Sequence, residues 1–407
     1  MNQSSEAAPI IPPRVLYTSF AVGLGSLTLY DIFGLLVPLF ALSIDAGPAE
    51  IGLLVGARAA GPALFAMHGG GLVDRFGSRR VLLGASLITA VIAILIPALP
   101  WFWPLFFLQL GLGLITTFNW LAAQTLAVYQ CRGDTAILGR YNFVVRWGTI
   151  AGPPAAGALW DYFGAWPTFG IAALTGVALH FLARTLAEPH AGAIDGPKVS
   201  FLSVLPRVSD YTRSLSLILI PVIAFTIMVS TLRNGTNGLQ TSIYVVYLED
   251  LGYRGTLIGV LFGAAEAAVA LASLFVGTAK RLGPSHWVLL ATAVVAILAI
   301  SATPFLGGQF PLLLLMMGLL GGAQGFMQPI VNSIQFHHAG SELQGAMTGL
   351  RMTANRISNM IVPPVAGYIA GAAGIAASFV LIGVVFLAGA VAVAILVALR
   401  PRFRLTQ

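Results

Sequence analysis

Long apolar runs follow one another along this chain, each closed by charges, Gly or Pro. Each run is close to the roughly 20 residues that an α-helix needs to cross the hydrocarbon core of a bilayer. Read between those breaks, the pattern predicts twelve helical spans, at about 15–42, 51–73, 81–98, 104–128, 139–160, 167–187, 215–247, 256–279, 286–304, 310–336, 345–370 and 375–399. The longest polar connection, 188–214, holds Pro189, Gly192, Gly196, Pro197 and Pro206. It divides the chain into an N-terminal half, 1–187, and a C-terminal half, 215–407, of six spans each.

Composition agrees with the pattern. Of 407 residues, 57% are apolar and 9% are charged, against roughly 25% charged in soluble domains. A water-facing surface cannot be assembled from this, so a soluble globular enzyme is excluded. The 46 Gly and 23 Pro are tolerated in membrane helices, where neighbouring helices satisfy freed backbone groups. The net charge of +7 is explained by its placement. With the N-terminus inside, Arg75, Arg79, Arg80, Arg132, Arg140, Arg184, Lys280, Arg281 and Arg400 fall on the cytoplasmic side, and Arg254 alone falls in an outer loop. This asymmetry predicts that both termini are cytoplasmic, and it makes anionic lipid, rather than nucleic acid, the partner of the basic residues. Cys131 is the one cysteine, so no intramolecular disulfide forms. The segment 1–13 reads as a cytoplasmic tail rather than a signal peptide.

The halves repeat each other. Ile51-Gly-Leu-Leu-Val-Gly-Ala57 on span two recurs as Ile258-Gly-Val-Leu-Phe-Gly-Ala264 on span eight, at an offset of 207 residues. Arg146 followed by Pro153-Pro-Ala-Ala-Gly157 on span five recurs as Arg356 followed by Pro363-Pro-Val-Ala-Gly367 on span eleven, at an offset of 210. An even number of spans per copy makes these parallel repeats about the membrane normal. The loop between spans two and three, Gly70-Gly-Leu-Val-Asp74-Arg75-Phe-Gly77-Ser-Arg79-Arg80, resembles the signature loop of the major facilitator superfamily, whose 6+6 architecture covers nearly the whole chain. The resemblance implies an all-α integral membrane fold of twelve helices in two pseudo-two-fold-related halves. It also implies that this loop contacts span eleven and stabilises the outward-facing state, a gating role carried here by Asp74, Arg75 and Arg79. Gly148, Gly152, Pro153 and Pro154 on span five resemble the glycine-proline motif of proton-coupled exporters of the superfamily, which adds Gly152 and Pro153 to the gating residues. Span four departs from that exporter pattern, because Phe107-Leu-Gln109-Leu-Gly111 stands where an arginine is often found. Gly259 with Gly263 and Gly318 with Gly322 have the GxxxG spacing of helix packing.

A charge near the bilayer centre costs roughly 2.5–3.5 kcal/mol on insertion scales. Asp31, Arg58, Arg146, Arg233, Glu266, Arg351 and Arg356 all fall within spans one, two, five, seven, eight and eleven. The resemblance places those spans around or beside the central cavity and spans three, six, nine and twelve on the outer scaffold. Arginine remains protonated in proteins, so five arginines against two acids favour an anionic guest bound through the guanidinium fork. Arg146 and Arg351 are close enough to the cytoplasm to snorkel. Arg233 heads the candidate binding residues, with Arg356 and Arg58. It opens the run Arg233-Asn-Gly235-Thr-Asn237-Gly238, read here as a helix interrupted at the substrate site. Tyr30, Asn119, Trp120, Gln124, Asn237, Gln328 and Asn355 complete the set as hydrogen-bonding or stacking groups, although interhelical packing explains any one of them as well.

Asp31 and Glu266 are the candidates for proton coupling, with Asp31 preferred and Glu266 alternatively a fixed counter-ion. No HExxH, GxxxxGK[ST] or GxSxG pattern occurs. Neither catalysis nor a cofactor is expected, and gradients rather than ATP drive transport. The expectation is a monomeric secondary transporter of the bacterial inner membrane, exporting a small organic anion or acidic amphipathic molecule in exchange for protons. Uptake symport or anion exchange through the same arginines is the alternative.

Overall fold

The computed structural model describes residues 11–65, 73, 76–132, 134–188, 215–278 and 283–403. Among them are twelve α-helices and no strand. They are α1 Pro13–Ser43, α2 Pro48–Phe65, α3 Ser78–Ala98, α4 Phe102–Gln130, α5 Thr135–Phe163, α6 Ala165–Arg184, α7 Pro221–Thr241, α8 Ile243–Asp250, α9 Gly255–Leu274, α10 Ser285–Ser301, α11 Phe310–Ala373 and α12 Ile375–Leu399. Helices and spans correspond with two exceptions: α7 and α8 together make span seven, and α11 carries spans ten and eleven. Arg351 Nη1 donates to Asn332 Oδ1 although 19 residues separate them. A straight helix would hold these groups about 28 Å apart, so the helical run of α11 doubles back between them.

Seven of the described helices are long and apolar enough to cross a membrane, and they carry spans one, three, four, six, eight, ten and twelve. Span nine is apolar but shorter. Spans two, five, seven and eleven fall below that standard, and all four carry arginine within the span, a residue costly against lipid. These same four helices pack in the interior, against the opposite half or along the cavity. One hydrophobic core gathers Phe33, Leu36, Leu112, Leu126, Phe169 and Leu179 from spans one, four and six. A second gathers Leu239, Ile258, Leu261, Leu313, Met317 and Phe379 from spans seven, eight, ten and twelve, and takes in Leu35 and Leu39 of span one.

The repeated motifs meet crosswise. Span two packs on span eleven, where a Cβ at Gly56 would stand 2.7 Å from Pro364 Cγ, and Gly52 lies under the Pro363 carbonyl. Span eight packs on span five, where Gly259 lies under the Pro153 carbonyl, Gly263 under that of Ile150, and Gly157 against the backbone of Gly255. Each copy of the glycine motif thus seats a double-proline motif of the other half, because glycine alone lets two backbones approach so closely. Gly367 closes on Pro48 in the same way. These contacts seal the end of the bundle remote from both termini. Single glycines turn the chain there, Gly164 with φ 76° between α5 and α6 and Gly374 with φ 92° between α11 and α12. Both conformations are ones that a side chain would strain. Asp161 completes the seal. Its carboxylate accepts from Gly255 N at 2.8 Å, Thr256 N at 2.7 Å and Thr256 Oγ1 at 2.5 Å, capping span eight from the other half.

One expectation is corrected. The stretch 233–238 is not unwound, since α7 runs through it and the break comes later, at Ser242 with φ −120° and ψ −91°. Its glycines are packing positions: a Cβ at Gly235 would enter the Phe386 ring and one at Gly238 would meet Val362. Thr236 and Thr241 return their hydroxyls to carbonyls of the same helix, which keeps its polar groups satisfied. Arg79 is engaged within its own half, by span six. Its Nη2 donates to the Arg184 carbonyl at 2.6 Å, at the end of span six, where unpaired carbonyls of a helix C-terminus attract a cation. Asp74 and Arg75 lie outside the described residues, as does the connection from 189 to 214.

Candidate functional site

A cavity of about 130 Å³ lies between the halves, on the terminal side of the sealed end. Span one contributes Tyr30, Asp31 and Gly34, span two Arg58, span four Gln109, and span five Thr149 with Pro153 one turn on. From the other half come Asn237, Gln240 and Thr241 of span seven, Phe262 and Glu266 of span eight, and Arg356 and Asn359 of span eleven. Within spans five, seven, eight and eleven these residues recur three or four apart, so each helix turns one face to the cavity.

Small residues set the positions of the charged ones. The Arg58 carbonyl occupies the place of a Cβ at Gly113, so span four sits directly on the backbone that carries Arg58. Gly34 leaves room for the guanidinium, since a Cβ there would lie 3.2 Å from Arg58 Nη1. Gly148 and Gly152 let span five close on Thr28 of span one, which brings Thr149 and Pro153 to the wall.

Tyr30 stands between two arginines from opposite halves. Arg58 Nη2 donates to its backbone carbonyl, and Arg356 Nη1 donates to its hydroxyl. Both guanidinium carbons also lie over its ring, at 4.7 Å for Arg58 and 5.5 Å for Arg356, within reach of the cation–π attraction. Neither arginine has a carboxylate within 4 Å among the described residues. Glu266 is engaged elsewhere, by Arg146 Nη1 at 2.8 Å and by the Thr149 hydroxyl at 3.5 Å. Arg146 therefore reaches an acid across the halves rather than snorkelling. Asp31 faces the cavity with no ion partner among the described residues.

Of the residues singled out from sequence, the cavity brings together Tyr30, Asp31, Arg58, Pro153, Asn237, Glu266 and Arg356. Arg233 lies outside its lining, one turn from Asn237, buried and joined to Asn234 Oδ1 at 3.4 Å. Asn234 in turn donates to the Asn355 carbonyl and to Asn359 Oδ1, tying span seven to span eleven. Asn119 is fully buried on span four with both amide atoms unpaired, and Trp120 packs on a cluster around Tyr141. Gln124 and Gln328 are exposed and line no part of the cavity. Gln109, Thr149, Gln240, Thr241 and Phe262 were not anticipated as lining. Gln109 is the most informative of these, since neither of its amide atoms has a partner although it is completely buried.

Two helical bundles closed at one end around a charged midplane cavity define a membrane transporter of the alternating-access kind. The comparisons with known proteins agree. The Major Facilitator Superfamily profile matches residues 19–357 and 226–407, and the chain belongs to that family. It is a multi-pass secondary transporter, not an enzyme. It is 25% identical over 316 residues to the multidrug resistance protein MdtG of Salmonella dublin, covering 76% of each chain. With MdtG of Dickeya zeae it shares 24% over 322 residues, covering 76% of this chain and 75% of the other. Among solved structures, nucleoside transporter NupG in a D323A mutant superposes with a TM-score of 0.77 at 13% identity, covering 94% of this chain and 98% of that one. A bacterial homologue of the human lysosomal transporter Spinster, inward-facing and occupied, gives 0.75 at 13% identity, with 98% and 100% covered.

Proposed function

We propose that this transporter exports small organic anions, or amphipathic molecules with an acidic group, across the bacterial inner membrane in exchange for protons, with both termini in the cytoplasm. The carrying observation is the pair Arg58 and Arg356, drawn together on Tyr30 without a carboxylate on either. Two like charges held side by side in a low-dielectric wall favour a guest that neutralises them, and guanidinium matches carboxylate, sulfonate or phosphate. With Glu266 held by Arg146, Asp31 is left as the titrating group. The multidrug resistance names of the relatives support export. On this orientation the sealed end faces outward and the structure is open toward the cytoplasm.

A second reading rests on Asp31 itself. A proton on a carboxyl beside two arginines removes the competing anion and strengthens binding of the guest, which favours proton and anion moving in the same direction. The experiment is a melting-shift screen on purified protein with benzoate, benzenesulfonate and tetraphenylphosphonium, followed by flux in vesicles. Saturation at a hundredfold the dissociation constant stabilises the fold by about 2.7 kcal/mol. Stabilisation by the two anions that is lost in Arg356→Gln is expected; stabilisation by the cation alone would overturn the anion reading. In vesicles, anion driven against an imposed proton gradient supports exchange, and anion accumulating with protons supports cotransport.

A further inference from the structure

Arg351, near the cytoplasmic end of span eleven, has its side chain buried against span ten. It is 8% exposed. Its Nη1 donates to Asn332 Oδ1. With the Gln328 amide turned to present its oxygen, Oε1 accepts from Nη1 at 3.1 Å and from Nη2 at 3.2 Å. Both acceptors are neutral, and no carboxylate lies within 4 Å of this guanidinium among the residues whose side chains are described. Gln328 and Asn332 stand four apart on span ten, on one face, and both are exposed. Two amides beside an arginine are not tolerated against lipid tails, so that face meets water on the terminal side of the cavity, here called the vestibule. Along span eleven Arg351 precedes Arg356 by five residues, about 7.5 Å of rise, within a Debye length of the cavity mouth.

Resting on the anion reading above, we infer that Arg351, with Gln328 and Asn332, is a second anion-binding station, which takes the carboxylate, sulfonate or phosphate of the guest in the vestibule and hands it to Arg58 and Arg356. The guanidinium has five N–H donors and spends no more than three on the two amides, and each amide keeps its NH2 group as a further donor. The rival role is a plain staple between spans ten and eleven.

The two roles respond oppositely to Asn332→Asp. That change keeps an acceptor for Arg351 and strengthens a staple, but it cancels the charge that a station needs. Uptake of labelled benzenesulfonate into vesicles, at several salt concentrations, is compared for wild type, Asn332→Asp, Arg351→Gln and Arg351→Lys, with melting temperatures recorded. The station predicts about a tenfold fall in kcat/KM and a flattened salt dependence for Asn332→Asp and Arg351→Gln. It predicts substantial retention in Arg351→Lys, and a benzenesulfonate melting shift at the cavity that changes by less than about twofold in all three. Asn332→Asp carries the test if Arg351→Gln fails to fold. Wild-type uptake and salt dependence in a more stable Asn332→Asp protein would overturn the station and leave the cavity reading intact. Failure of wild type to bind or carry benzenesulfonate would overturn both.

Discussion

Tyr30 receives an arginine from each half, one on its backbone and one on its hydroxyl, so a single residue reports the approach of spans two and eleven around the cavity. Gln109, on span four of the same half, has the reverse situation, with polar atoms and no partner. Removing an unpaired buried amide relieves about 1–3 kcal/mol. Gln109→Leu is therefore expected to raise the melting temperature while weakening guest binding, and calorimetry beside a ligand titration would show the two effects with opposite sign. Asp31→Asn is expected to uncouple flux from the proton gradient while preserving anion exchange, measured as counterflow at fixed pH. The charged residues of the cavity were legible in the sequence, because an ion within an apolar span is costly and needs a reason to be there. Gln109 was not: it sits in a run of Phe, Leu and Gly, and only the fold shows that its side chain meets the cavity. Arg233 lies one turn from the lining residue Asn237, and sequence spacing alone does not say which of two adjacent turns of span seven faces the cavity.

At the level of helices, glycine has two meanings that sequence alone does not separate. Gly259 and Gly263 lie against the backbone of span five, whereas Gly318 and Gly322, with the same spacing, have no neighbouring atom where a Cβ would stand. Gly259→Leu is accordingly expected to cost about 1–3 kcal/mol or more by overpacking and to push the two halves apart at the sealed end. Gly318→Ala is expected to be neutral or to gain up to about 1 kcal/mol from helix propensity. Melting temperatures of the pair in the same detergent check both. The run at 233–238 was read as a breach in the helix for a related reason: its glycines admit Phe386 and Val362, and close packing leaves the same mark on a sequence as unwinding. The repeat was legible as matched strings, but the crosswise pairing of glycine motif with proline motif is tertiary and needs the two halves face to face.

For the whole molecule, the transition between states must break the seal. On the side of spans five and eight this includes three hydrogen bonds to the Asp161 carboxylate, each charge-assisted bond being worth about 1.5–3 kcal/mol at most. Asp161→Ala is expected to populate the state open at that end. Spin labels at the ends of spans five and eight would then show a longer distance, and a cysteine placed at Asn237 would react faster with an impermeant reagent added from outside. Unchanged distance and reactivity would mean that the glycine contacts alone hold the end shut.

The internal repeat equates Asp161 with Gly371, and the helix start that Asp161 caps, Gly255 and Thr256, with Pro48 and Ala49. Proline has no N–H and alanine no hydroxyl, so an acid at 371 would find one donor where Asp161 finds three. The duplicated halves have thus ceased to be interchangeable at the place where they touch. Spans two and eleven lack the clasp that fastens spans five and eight, and a motion that starts on the unclasped side swings the molecule like a door on its opposite jamb.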